Sequence, residues 1–591
     1  MPHQTIPQLA TSATLLITLS LSGALLLPEV LSYHEQYQLF QLTPQYLLQH
    51  LTYATGPAEY LAELLTQFAY YPALGATLLA LPLLALQLLT WHIARQLHAQ
   101  PVAHGLSLIP SLLTLALMAD ENIKPTLLTS LTLTLATSAL YTHLHTTKNR
   151  TLFQLIAIPL LYLLAGPITL THILLSLTID LRQHHKPLYL AIPYYALILL
   201  ISATTLMAQY ATPDILLGHA YHNLRDTHPT SILLLNLTIA TLPPLLSLIP
   251  NTTHHLTPHL ITLLTLLIGL PLALANYHNP KYNPITYDAL LRAEHYDKII
   301  TLAQQNPPTD DPSIVALNLS LAQRGQLLNT MFHYHQNGPQ SLITPSLRNQ
   351  FSAITSAETL LRLGLINMSL RYFFDTQEAI IDCHKSARLT KRIAELLIIN
   401  HQYQMARHYL THLSNTLFYS NWAKQTLQTI NSEQAINNHP TWGRLRQYRY
   451  KTSFYSNYYE LDKMLALLYD NNHQNHLALD YYLAQCLLRR DLKALWAGLA
   501  WARDLYPQLP RHIQEAIAIT WAQTHPDFQN IPLPISPEVI NDLAQFTHYY
   551  AHNPADPRLN TPPLRNTYWH YLLLQQPIDA QTGATNTTPN K

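Results

Sequence analysis

Three glutamates close together, Glu35, Glu59 and Glu63, are the residues of this chain best suited to acid–base chemistry. A positioned carboxylate can take the proton of an acceptor hydroxyl. Glu59 and Glu63 recur with Gln67 at intervals of four, which puts all three on one face of a helix. That face reads either as a solvated acidic stripe on an interfacial helix or as the acidic floor of a site at a membrane surface. A second group is basic: Arg444, Arg446, Arg449 and Lys451, interleaved with Tyr448 and Tyr450. Such a mixture can grip phosphate or glycan, or can simply be a solvated helix face. Arg225 is the remaining candidate for holding a lipid phosphate. Histidine pairs such as His184-His185, His254-His255, His143/His145 and His333/His335 can in principle bind metal. They are spread along the whole chain, however, and read as polar residues at helix boundaries. Cys383 and Cys486 are the only cysteines and form no CxxC motif; in an oxidising space they could pair.

The elements that must position these groups follow from an uneven distribution of charge. The first 275 residues carry 16 formal charges and the last 316 carry 49. A segment so long and so poor in charge belongs in a lipid bilayer. The chain therefore divides into a membrane domain at 1–276, a water-soluble domain at 277–576 and a polar, disordered tail at 577–591. The expected fold is all-α: a bundle of eight or nine transmembrane helices followed by a stack of helical pairs.

A span needs about 20 mostly apolar residues. Candidates lie at about 11–31, 73–92, 102–119, 125–144, 188–210, 230–249 and 256–275. The stretch 151–180 is interrupted by Pro159 and by Gly166-Pro167, so it is one kinked crossing or two short ones. Lys and Arg favour the cytoplasmic side. Two crossings keep Arg182 and Lys186 inside and give nine passes, with the soluble domain outside the cell membrane. The N-terminus lacks the basic stretch and cleavage site of a secretory signal, so the first helix is expected to be a retained anchor. The loop 32–72 holds no Lys or Arg and should lie outside. Its many aromatics, Tyr33, Tyr37, Phe40, Tyr46, Tyr53, Tyr60, Phe68, Tyr70 and Tyr71, are expected at the headgroup level.

After Tyr282 the pattern becomes one of helical pairs. Apolar positions such as Tyr287, Leu290, Leu291, Tyr296, Ile299 and Ile300 keep helical spacing. Short polar turns interrupt the helical runs at Arg324-Gly325-Gln326, Leu363-Gly364, Asn400-His401-Gln402 and Arg489-Arg490-Asp491. The first three lie roughly 38 residues apart, close to the ~34-residue period of tetratricopeptide (TPR) repeats. Stacked pairs of this kind make a solenoid with a concave binding surface.

Three motifs carry a resemblance to a known family. They are His34-Glu35-Gln36 followed by Leu39-Phe40; Gly56-Pro57 followed by Glu63-Leu64-Leu65-Thr66-Gln67-Phe68; and Thr416-Leu417-Phe418-Tyr419-Ser420-Asn421-Trp422-Ala423. Together they resemble an uncharacterised family of multi-pass proteins of Bacteroidota-type bacteria, defined only as a domain of unknown function. The resemblance covers most of the chain. It implies an inner-membrane protein with a helical extracytoplasmic domain and supplies no substrate.

Several chemistries are disfavoured. There is no GxxxxGK, HExxH or GxSxG motif. Ionisable residues are nearly missing from the predicted spans, which argues against an ion-coupled transporter. Near-neutral charge argues against nucleic acid. The leading expectation is a scaffold: a bacterial inner-membrane anchor in contact with lipid, presenting a periplasmic TPR-like domain to a protein or envelope-polymer partner, without a cofactor. The alternative is a glycosyltransferase that uses polyprenyl-phosphate sugars (the GT-C class), by analogy of layout. There Glu35, supported by Glu59 or Glu63, would act as base or hold a divalent metal ion, the one cofactor that alternative would admit.

Overall fold

A backbone in water-poor surroundings must satisfy its own amides, and a Leu-rich chain does so as helix. The computed structural model is all-α: among the described residues no strand forms, only an isolated bridge between Ile123 and His222. The structure describes residues 5–575 except 27, 37, 184–187, 207–220, 224–229, 251–256, 276–282, 345–349, 381–384, 451–457, 526, 529 and 532. Arg225, Lys451, Cys383, His184, His185, His254, His255 and the tail therefore lie outside the described residues. Two compact units divide the chain: Met1–Tyr282 with Asn415–Ser420, and Asn283–Ser414 with Asn421–Lys591.

The first unit comprises α1 (Thr5–Leu26), α2 (Pro28–Gln36), α3 (Pro44–His50), α4 (Gly56–Gln67), α5 (Pro72–Gln96), α6 (Ile109–Leu117), α7 (Thr126–Tyr141), α8 (Thr147–Ala165), α9 (Thr169–Arg182), α10 (Ala191–Leu206), α11 (Thr230–Leu246) and α12 (Thr257–Ala275). Its core joins Leu15, Leu86, Leu108, Leu127, Leu131, Ile179 and Ile239. Polarity in this unit is inverted relative to a water-soluble protein. Leu25, Leu190, Leu200, Leu267 and Leu272 are exposed, whereas Gln87, Thr90, Ser107, Ser111 and Thr114 are buried. The buried groups satisfy one another: Gln87 Nε2 donates to Ser107 Oγ at 3.1 Å, and Ser111 Oγ donates to the Leu83 carbonyl at 2.7 Å. Asn415–Ser420 belongs to this unit, with Phe418 stacked on Tyr70 at 5.1 Å.

The expected eight or nine spans are not all there. Among the described residues two helical runs are long and apolar enough to cross a membrane, Pro72–Gln96 and Thr147–Arg182; the bent pair α1 and α2 makes a third if taken as one span. The other apolar stretches form shorter helices, such as Thr126–Tyr141 with 16 residues. At 1.5 Å per residue that helix is about 24 Å long, short of a hydrocarbon core of about 30 Å. Hydropathy had counted apolar residues that belong to the flanking turns.

The run Thr147–Arg182 is itself not straight. Arg150 near its start pairs with Asp180 near its end, and Arg150 Nε also donates to the Leu144 carbonyl at 2.8 Å. In one straight helix those two residues would stand about 45 Å apart. The chain therefore folds back at Gly166, whose φ of +73° favours glycine. A Cβ there would also sit 2.1 Å from Thr55 Cγ2. Arg150 and Asp180 are buried together, with Tyr141 donating to Asp180 Oδ1 at 3.0 Å.

In the second unit the polar turns take one repeated form. Glu294, Gly325, Gly364, His401 and Arg490 each have positive φ. In each case the following amide bonds back five residues: His295 to Leu290, Gln326 to Leu321, Leu365 to Leu360, Gln402 to Leu397 and Asp491 to Cys486. This is the helix-ending bond of a Schellman motif, which stops one helix and launches the next. The helices so joined include Asp311–Gln323, Gln350–Leu363 with Ile366–Ala379, Ala387–Ile399 with Tyr403–Ser414, and His476–Leu488 with Leu492–Leu505. Asp311–Gln323 is buried along most of its length. Cys486 is a buried free thiol.

Two outcomes test these interactions. Asp180→Ala strands the Arg150 charge in the interior, so a loss of about 3–5 kcal/mol is expected, and Arg150→Met with Asp180→Leu should lose much less. Denaturation of the full chain in detergent reads both. Gly325→Ala should cost only the conformational penalty of about 1 kcal/mol, because a Cβ there meets nothing within 4 Å. Gly364→Ala should cost more, since its Cβ falls 2.9 Å from Tyr448 Cβ. Equal losses would refute the packing argument.

Candidate functional site

The acidic residues come together on α4, and a proline–glycine turn explains how. Thr43 caps α3 by accepting from the Tyr46 amide at 3.3 Å, and Pro44 occupies the first helical turn. Gly56 opens α4 hard against α3, so close that a Cβ would sit 1.8 Å from the His50 carbonyl oxygen. The helix is held to α7 by Thr129 Oγ1, which donates to the Ala58 carbonyl at 2.9 Å. Glu59, Glu63 and Gln67 face inward and are buried, at 8%, 4% and 2% exposure. This overturns the reading of a solvated acidic stripe.

Each carboxylate is met by a tyrosine from the preceding segment. Tyr46 Oη donates to Glu63 Oε2 at 2.6 Å and Tyr53 Oη donates to Glu59 Oε2 at 2.9 Å. Lys124 Nζ stands 4.0 Å from Glu59 Oε1, and His50 Nε2 stands 3.4 Å from Glu63 Oε2. Phe40, Tyr46, Tyr53 and Tyr60 pack around the His50 ring or one another at 4.6–6.3 Å. The aromatics expected at the headgroup level thus include several that shield this cluster. Burial, then the Glu63 carboxylate, pushes the Tyr46 hydroxyl far above its ordinary range, so it stays a donor.

His50 shows what the cluster can do chemically. The Tyr46 carbonyl, 2.9 Å from Nδ1, can only accept, so Nδ1 carries a proton. A neutral ring would then turn the Nε2 lone pair toward the Glu63 carboxylate. Burial by itself lowers the His50 pKa. The bonds to Glu63 and to the Tyr46 carbonyl, with the charges of Glu63 and Glu59, outweigh it and leave the pKa raised. The arrangement favours the protonated ring, with Nδ1 on the Tyr46 carbonyl and Nε2 toward the Glu63 carboxylate.

The remaining predicted residues are placed differently. Glu35 is completely buried on α2. The small apolar cavity beside that helix, about 50 Å³, is lined by Leu19, Val30, His34, Leu83 and Met118 rather than by Glu35. Arg446 is committed to the second unit's own packing: its Nη1 donates to Glu433 at 2.7 Å and its Nη2 to the Ile398 carbonyl at 2.7 Å. Arg449 Nη1 likewise donates to Asn400 Oδ1 at 2.8 Å. Arg444, on the same short helix Trp442–Tyr448, is exposed and shares a cavity wall with Arg362 and Arg392. Those two arginines were missed, as were His50 and Lys124. The four-residue step from Tyr46 to His50 was the one available signal for the first cluster. Among the described residues no three His, Cys, Asp or Glu side chains come together as metal ligands.

Comparison with known proteins identifies the chain's relatives. It belongs to a family of unknown function, DUF6057, whose model matches residues 6–575. No curated protein and no solved structure matches it.

A group whose pKa is raised by folding adds stability that is complete below its unfolded value, about 6.5 for histidine, and is lost as pH rises through the folded value. We expect the unfolding midpoint of the full chain in detergent to fall over that window, and His50→Gln to flatten the fall. An unchanged slope in the variant would assign the effect to another group.

Proposed function

We propose that this DUF6057 protein is an integral membrane scaffold of the bacterial cell envelope. Its charge-poor unit is the anchor in the inner membrane. Its helical-pair unit is a TPR-like solenoid on the periplasmic side that binds a protein or envelope polymer. The observation that carries the reading is the inverted polarity of the first unit: leucines outside, amides and hydroxyls inside. A soluble protein rarely leaves so much contiguous apolar surface uncovered. Lipid makes that surface favourable and makes the internal hydrogen bonding obligatory. Short helices fit this reading, because elements buried within a bundle need not each cross the full bilayer. The repeated Schellman turns support the solenoid, since each ends one helix and starts another after a short turn.

A polyprenyl-phosphate-dependent glycosyltransferase has one observation in its favour, the gathering of Glu59, Glu63, His50 and Lys124. Such a reaction needs a carboxylate open to substrate. Here both of those carboxylates receive tyrosine hydroxyls, and Glu35 is shut away from the cavity beside it. The geometry favours a structural role for the cluster.

Fractionation tests the scaffold reading. The chain should stay with membranes through an alkaline carbonate wash and leave only with detergent. An alkaline phosphatase fused to its C-terminus should be active. Recovery in the aqueous fraction without detergent would overturn the anchor, and an inactive fusion would overturn the periplasmic placement. Glu63→Gln should preserve the phenotype of the intact gene while lowering stability. Abolished function at normal abundance would instead revive the transferase.

A further inference from the structure

One end of the first unit is a basic rim. His92 Nε2 and His143 Nε2 lie 3.1 Å apart, which sets the end of α5 beside the end of α7. Arg150, near the start of α8, reaches both the Leu144 carbonyl and Asp180 near the end of α9, so those two helix ends meet there as well. Arg95, Lys148 and Arg182 are exposed at this end, and among the described residues none of them pairs with a carboxylate. Arg182 donates to the Ser247 hydroxyl at 2.8 Å. Asp180, the carboxylate at this end, is buried and already taken by Arg150. The exposed positive charges of the rim are therefore not offset by the unit's own acids.

An apolar groove opens from that rim. It runs between α7 and α8, holds about 430 Å³, and is walled by Leu140, Leu144, Leu152, Ile156, Leu160 and Leu164. That volume lies within the ~300–1,000 Å³ usual for small-molecule sites. The polar members of the wall are Thr137 and Asn149. Thr137 directs its hydroxyl to the Leu133 carbonyl at 2.9 Å, and Asn149 stands at the rim beside Lys148. From Asn149 to Leu164 the helix rises about 22 Å. One leaflet contributes about 15 Å of hydrocarbon, half of a core of about 30 Å. A tail entering at the rim thus stays against apolar side chains for the full depth of its leaflet.

We propose that groove and rim together bind an anionic phospholipid, with one acyl chain between α7 and α8 and the headgroup phosphate on Lys148. Arg95 and Arg182 add their positive field. The inference rests on the reading of this unit as the membrane anchor. A zwitterionic phospholipid offers the same tail, but its own ammonium cancels the charge the rim attracts. A soluble anion would meet the rim and leave the groove empty. A second copy laid on this face by two-fold symmetry would set its own Lys148 against this one, like charge on like charge. The side of the membrane that Lys and Arg favour is also the one with the negative lipid surface, so position and charge agree.

Native mass spectrometry of the full chain in detergent tests this, with phosphatidylglycerol and phosphatidylcholine of identical acyl chains as ligands. Phosphatidylglycerol should bind about fivefold or more tighter. Lys148→Gln, a change at an exposed site, should remove most of that preference. Ile156→Trp, which fills the groove from an exposed position, should weaken both lipids. Glycerol 3-phosphate carries the charge without a tail and should not displace the bound lipid. Equal binding of the two lipids, a preference kept in full by Lys148→Gln, or displacement by glycerol 3-phosphate would overturn the assignment. Unchanged lipid binding in Ile156→Trp would overturn it too, and a dimer split into monomers by that change would give the groove to a second copy. A chain that resists the carbonate wash yet shows no lipid preference refutes this site alone. A chain recovered in the aqueous fraction without detergent refutes the membrane anchor, and this site with it.

Discussion

Removing a charge from water costs several kcal/mol, and a protein recovers this only by surrounding the charge with partners of good geometry. That requirement governs the placement of nearly every ionisable residue considered above. In the first unit, where charges are few, Asp180 of α9 accepts from Arg150 of α8 and Tyr141 of α7, and Arg150 also donates to Gln183. Asp180 and its two partners come from three helices, so the cost of burial can be met only when α7, α8 and α9 are assembled. The interaction thus enforces the fold-back at Gly166, and a helix that looks continuous by composition becomes two antiparallel arms. The same requirement shapes α4, whose acidic face is tolerable inside only because Tyr46, Tyr53, His50 and Lys124 converge on it.

The second unit meets the requirement with arginine. Glu358 is fully buried and accepts from Arg362 and Arg392, with Arg388 3.7 Å away. Three guanidinium groups around one carboxylate would repel one another. Asp288 therefore takes a bidentate bond from Arg388 at 2.6 and 3.0 Å, Glu395 takes Arg392 and Glu294 takes Arg362. The arginines draw the Glu358 carboxyl far below its usual range despite its burial. These contacts tie Asn283–Arg292, Gln350–Leu363 and Ala387–Ile399 into one charge lattice. Sequence-distant helical pairs are joined by it as firmly as neighbouring ones are joined by their turns.

What was legible in the sequence follows from the range of each effect. The turns at Gly325, Gly364, His401 and Arg490 could be read because a polar interruption in a helical run is a local event and its consequence, a residue at positive φ, is local too. The all-helical character was legible for the same reason. Helix length in the first unit was not. Thr142, Leu144 and Thr146 follow Tyr141 without marking where hydrogen bonding stops, so hydropathy overran that helix end. The period of four in Glu59, Glu63 and Gln67 located a face but not its direction, which depends on tyrosines contributed by another helix and turn. Arg150 and Asp180 are 30 residues apart, and nothing in either segment announces the other. Arg446 and Arg449 looked as available as Arg444, because their acceptors, Glu433 and Asn400, lie 13 and 49 residues away.

That last contrast bears on how available polar groups are recognised in an all-helical chain. Bonds between helices engage Arg362, Arg392, Arg446 and Arg449, so residue type says little about availability. What distinguishes a group is the bond it does not make. Arg444 qualifies by this measure: among the described residues it is exposed and pairs with no carboxylate, whereas its neighbours on the cavity wall are committed. Arg362 is fixed through all three of its nitrogens, and the Asn475 amide is fixed by the Leu363 carbonyl at the very turn where Gly364 packs against Tyr448. A wall so constrained has little side-chain freedom left to lose. The dense pairing behind the cavity and the unpaired Arg444 on its wall therefore answer one constraint: a guanidinium held inside must be matched by carboxylates, and one left at the surface need not be.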